Sequence, residues 1–69
     1  MENEIIFVIE ESEEGGWTAK ALGYSIFTEG DSINELKSNI REAISCHFDD
    51  DKFPKIIRLH YVKDEFLSV

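Results

Sequence analysis

Apolar and polar positions along the 69-residue chain fall into five patterned stretches. Residues 4–10 read Glu-Ile-Ile-Phe-Val-Ile-Glu, a short β-branched and aromatic run between acids that predicts a strand. The run is continuous rather than alternating, so both of its faces are expected to be covered, one of them by another subunit. Residues 12–16 end in Gly15-Gly16, a pair that supplies the positive φ angles a hairpin turn needs. Residues 17–22 predict a second strand, with Trp17, Ala19 and Ala21 on one face and Thr18, Lys20 and Leu22 on the other. The two small alanines suit a helix packed closely over their face. After a break at Gly23-Tyr24-Ser25, residues 26–29 predict a third short strand, which Gly30-Asp31 ends.

Ser32 then opens a helix. Ser32 and Glu35 have the spacing of a capping box, in which each side chain bonds the other's backbone N–H. The helix is expected to run to about residue 48, because Ile33, Leu36, Ile40, Ala43, Ile44, His47 and Phe48 form one stripe at helical spacing. Asp49-Asp50-Asp51 follows, where the helix dipole disfavours negative charge, and Pro54 forbids any continuation of the helix. Residues 55–62 predict a fourth strand, and the last residues carry apolar Phe66, Leu67 and Val69. The predicted order is β-β-β-α-β in one domain, residues 1–69. The fold class is α+β: one amphipathic helix packed on a small, mainly antiparallel sheet. The opposite sheet face has no helix to cover it, and a second copy of the chain is expected there.

Composition narrows the functional classes. Cys46 is the only cysteine, so no internal disulfide forms, which points to a reducing compartment. The opening Met-Glu-Asn-Glu lacks a basic leader, and the longest apolar run, residues 5–9, is too short to cross a bilayer. A cytoplasmic protein without membrane attachment is expected. The net charge is -8, and its distribution is uneven. Residues 1–35 hold nine acids against the single base Lys20, whereas residues 36–69 hold six of each. Such a surface repels phosphate backbones, so no direct nucleic-acid partner is expected. It attracts a basic protein.

Candidate chemistry is sparse. Asp49-Asp50-Asp51 lacks the staggered oxygen ligands and turn glycine of a calcium loop and reads as a solvated acidic loop. Cys46 and His47 are adjacent and point to different sides of the helix, so they do not share a metal. Cys46 reads as a small buried or half-buried thiol, and His47 as a boundary residue of the apolar stripe. His60 has no nucleophile near it in sequence. Gly15-Gly16 lacks the spaced glycines and following Lys-Ser or Lys-Thr of a phosphate loop. Trp17 and Tyr24 lack the basic neighbours of a base-stacking platform. No catalytic residue, metal ligand or cofactor is expected. The densest feature is a hairpin tip with Glu10, Glu11, Glu13 and Glu14 beside the large aromatic Trp17, which makes these five the candidate partner-binding residues.

The stretch Glu13-Glu14-Gly15-Gly16-Trp17-Thr18-Ala19-Lys20-Ala21, followed by Gly30-Asp31-Ser32 and by a helix containing Glu42-Ala43-Ile44, resembles the HicB-like antitoxin family. The likeness covers roughly residues 5–48. The family's usual proline-containing connection is replaced here by Leu22-Gly23-Tyr24-Ser25-Ile26. Larger members also carry a C-terminal DNA-binding domain, and this chain looks like the toxin-binding half alone, without operator binding. The resemblance implies a partial ribonuclease-H-like fold without nuclease residues. It also implies a HicA-like toxin as partner, a small basic mRNA-cleaving protein whose RNA-binding or catalytic face the antitoxin covers, with the antitoxin acting as a homodimer or higher homo-oligomer. Two rival readings are a carboxylate- and metal-dependent nuclease, and a homo-oligomeric scaffold or small-ligand sensor with no toxin partner.

Overall fold

The computed structural model describes residues 3–69. Strands β1 (Glu4–Glu11), β2 (Trp17–Ala21) and β3 (Phe27–Gly30) lead into helix α1 (Ile33–His47), a 3-10 turn (Asp50–Lys52) and strand β4 (Ile56–Val62). The fold is the α+β arrangement expected. The strands form one sheet in the order β3-β2-β1-β4. The two hairpin pairings are antiparallel. β4 joins the other side of β1 in parallel, because the chain passes over the sheet through α1 before returning.

The core lies between α1 and one sheet face. Ile5, Phe7 and Ile9 of β1, Ala19 and Ala21 of β2, and Ile26 meet Leu36, Ile40 and Ile44 of the helix. The alanines are buried as their size predicted, since a small side chain lets the helix approach the sheet. On the other face of β1, Ile6 and Val8 are half-buried within the chain. The third strand begins at Phe27 rather than at residue 26; Ile26 buries its side chain in the core while its carbonyl accepts the Ala21 N–H at 3.0 Å.

The helix start differs from a reciprocal capping box. Ser32 Oγ accepts the Glu35 N–H at 3.1 Å, as that box requires. The Glu35 carboxylate, however, accepts the Asp31 N–H at 2.7 Å, one residue before the cap. Two further contacts tie this end of α1 to β3. Asn39 Nδ2 donates to the Glu29 carbonyl at 2.7 Å, and a Cβ on Gly30 would lie 2.7 Å from the Leu36 nitrogen. At the other end Tyr24 packs edge-on against Phe48 and His47, with ring centroids 5.2 and 5.9 Å away. Cys46, expected buried or half-buried, is exposed, because it sits off the apolar stripe. Among the described residues, no helix is long and apolar enough to cross a membrane.

Candidate functional site

The hairpin tip is built by its glycines. Ser12 and Gly16 bond N–H to carbonyl at 2.9 Å, and the Gly15 N–H bonds the Ser12 carbonyl at 3.1 Å. Gly15 and Gly16 have φ of 95° and 85°, the left-handed region that glycine enters without strain. This turn carries Glu13 and Glu14 and returns the chain so that Trp17 stands opposite Glu11. On the other side of β1 the parallel ladder sets Tyr61 beside Ile9 and Val62 beside Glu10. Trp17 and Tyr61 therefore reach the same end of the sheet on the helix side. Their rings meet edge to face, with centroids 6.3 Å apart at 85°.

Around this aromatic pair opens a cleft of about 530 Å³. It is lined by Glu10, Glu11, Ser12 and Glu13 of β1 and the turn, by Trp17 of β2, and by Tyr61, Val62, Lys63, Asp64 and Phe66 from the end of β4 onward. The structure thus brings Glu10, Glu11, Glu13 and Trp17 together. Glu14 goes elsewhere: it lines a second recess of about 420 Å³ on the other flank of Trp17, with Glu29, Asp31 and Glu35. Trp17 borders both hollows, so an acidic belt surrounds one half-buried indole.

Tyr61, Lys63, Asp64 and Phe66 were not among the candidates read from sequence. They lie more than forty positions from Trp17 in the chain, and only the parallel pairing of β4 with β1 makes them neighbours. The alternation of Ile57, Leu59 and Tyr61 hinted that Tyr61 shares a face with the core residues, but not which strand it adjoins.

Four acids line the cleft, Glu10, Glu11, Glu13 and Asp64, against one base, Lys63, and among the described residues none of the four is ion-paired. Among the described residues, the only ion pair joins Arg58 Nε to Glu4 Oε2 at 2.7 Å, on the open sheet face. Lone carboxylates beside aromatic faces fit a lysine or arginine side chain, which gains charge-assisted hydrogen bonds and a cation–π contact. The same groups do not converge on a metal: among the described residues, no three of His, Cys, Asp and Glu are grouped to hold an ion. His60 is exposed on β4.

Comparison with known proteins places the chain. A UPF0150 protein of Thermotoga maritima is 44% identical over 68 residues, which cover 99% of this chain and 96% of the relative. The chain belongs to the UPF0150 family. A second UPF0150 protein, from Archaeoglobus fulgidus, is 46% identical over 52 residues, covering 75% of this chain and 77% of that one. No family model matches, and no solved structure matches. The UPF0150 name states no activity, substrate or partner, so the function of the cleft is argued from its geometry.

Proposed function

We propose that this UPF0150 chain is a cytoplasmic, non-enzymatic binding protein of the antitoxin type, which neutralises a small basic HicA-like toxin by covering its RNA-binding or catalytic face. One observation carries the reading: Glu10, Glu11, Glu13, Trp17 and Tyr61 line a single cleft that holds four acids, Asp64 included, against one base, Lys63, with none of the four ion-paired among the described residues. A surface that holds RNA is basic, and carboxylates flanking an aromatic pair offer such a surface the charge of phosphates and the stacking of bases. The likeness of the Gly15-Gly16-Trp17 turn and the Gly30-Asp31-Ser32 helix start to HicB-like antitoxins supports the same assignment. Self-association belongs to it, because half-buried Ile6 and Val8 and exposed Phe27, Leu22, Ile56 and Val62 leave apolar surface on the chain.

The test is affinity capture from the host lysate at low and then moderate salt, followed by co-expression. The expected result is one small basic protein at near-equal amount, which arrests growth when expressed alone and is relieved by this chain. The chain with Glu10, Glu11, Glu13 and Glu14 all replaced by Lys gives no relief. A captured protein that is harmless alone, or relief that survives the four reversals, overturns the assignment. Capture of the chain's own copies alone favours the second reading, a homo-oligomeric scaffold or ligand sensor, which the exposed apolar residues of the open sheet face favour.

A further inference from the structure

The end of the chain leaves the body. Residues 63–69 form no strand or helix, and Phe66 and Leu67 are 95% and 90% exposed. The molecule measures 52 × 25 × 18 Å, and its radius of gyration of 13.5 Å exceeds the roughly 11 Å of a compact chain this long. An aromatic and two aliphatic side chains projecting into water are costly unless something covers them.

The same chain carries a surface of matching chemistry. α1 lies over β2 and β3 and leaves most of β4 exposed, only Leu59 packing against the core, so a groove of about 260 Å³ opens between helix and strand. Its lining is Ile40, Ile57 and Leu59, rimmed by Lys37 and Arg41. These are two of only seven bases in a chain of net charge -8. The projecting segment reads Asp64-Glu65-Phe66-Leu67-Ser68-Val69, two acids followed by three apolar residues within four. Acids meet the rim cations and apolar side chains meet the apolar floor. The segment is poorly placed for its own groove: it continues from Val62, whereas Ile57 and Leu59 lie nearer the start of β4, and residues 63–69 hold no glycine or proline with which to reverse.

We infer that the occupant of the groove between α1 and β4 is the 64–69 segment of a second copy of this chain, given reciprocally, so that each copy seats its Phe66 and Leu67 against the other's Ile57 and Leu59. A two-fold arrangement makes both contacts identical and closes the assembly. The inference rests on the self-association part of the proposed function and not on the toxin.

The experiment is light scattering on the full chain under reducing conditions, so that exposed Cys46 makes no covalent pairs. Wild type is expected at twice 8.0 kDa or a higher even multiple. Phe66→Asp with Leu67→Asp, at positions outside the core, should bring the mass to 8.0 kDa with circular dichroism unchanged. Lys37→Glu with Arg41→Glu should weaken self-association by about tenfold or more, and adding Asp64→Lys with Glu65→Lys should restore it. A wild-type mass of 8.0 kDa, a tail variant that keeps the wild-type mass, or charge reversals that fail to rescue one another each overturns the inference. Lys37 and Arg41 lie outside the acidic cleft, so capture of the basic partner by that double variant reports on the proposed function separately.

Discussion

At the residue scale, the motifs that mark this chain turn out to build its frame. Gly30 approaches α1 so closely that an added Cβ would stand 2.7 and 2.9 Å from the Leu36 nitrogen and Cα, both backbone atoms that do not swing aside. Gly30→Ala should therefore destabilise by about 2–3 kcal/mol, a value at the upper end for overpacking. The melting temperature should fall by about 10–20 °C, given roughly 4–8 °C per kcal/mol in a domain this small. The glycine pair of the hairpin separates two effects. Gly15 has φ of 95° and open space around it, so Gly15→Ala meets only backbone strain of about 1–2 kcal/mol. Gly16 has φ of 85° and a Cβ there would lie 2.8 Å from the Gly30 carbonyl oxygen, so Gly16→Ala should be the worse substitution. Equal losses in urea unfolding would show that the Gly30 contact is not felt. Ser32→Ala should remove about 1 kcal/mol of cap stabilisation, read from the same unfolding curves. The turn and the helix start were legible in the sequence because both depend on backbone conformations that few residue types adopt. The contact between Gly30 and Leu36 was not, since nothing in a pattern of residue types reports how near a helix lies to a strand.

At the element scale, β1 is the organising strand. It is central in the sheet, pairs on both edges, and places Phe7 at the middle of the core with none of its surface exposed. Phe7→Ala leaves a cavity between Ala21, Leu59 and the helix, and such truncations remove about 3–5 kcal/mol. A domain of this size has a total stability of roughly 3–10 kcal/mol, so the variant is expected to be largely unfolded near 37 °C by circular dichroism. A variant that melts cooperatively within a few degrees of wild type would place the core elsewhere. All four strands and the helix were legible from local periodicity, within a residue or two at their ends. The order of strands was not, because β1 attracts β2 through a short turn but attracts β4 only after the chain has crossed the sheet. That long-range pairing also made half of the candidate site invisible. Glu10, Glu11, Glu13 and Trp17 advertise themselves within eight positions of one another, while Tyr61 and Phe66 arrive from the far end of the sequence. Glu14 looked equivalent to Glu13 in sequence, but the tight turn at residues 12–16 sends the two to different hollows.

At the scale of the whole molecule, charge and shape make separable demands on a partner. The negative charge of residues 1–35 is concentrated where the cleft and its neighbouring recess lie, while the rim of the α1–β4 groove is basic. A basic partner would therefore be drawn to one end of the molecule, whereas the proposed self-association uses the α1–β4 groove of one copy and the 64–69 segment of another, of which Asp64 and Phe66 also line the cleft. Long-range attraction acts on the encounter and is screened over about 10 Å at 0.1 M salt. The association rate with a basic partner should fall by about tenfold or more as salt rises from roughly 0.02 to 0.2 M. Dissociation is governed instead by what is desolvated in the cleft, so the dissociation rate should change far less over that range. Trp17→Ala should invert the pattern: the salt dependence of association stays, because no charge is lost, while dissociation quickens by about tenfold or more as the aromatic anchor disappears. Replacing the four glutamates by lysine should flatten the salt dependence and slow association. Stopped-flow or surface-based kinetics across the salt series decides between these effects. An association rate insensitive to salt in the wild-type chain would mean that the acidic end serves solubility alone, and the cleft would then lose its claim to be the partner's contact surface.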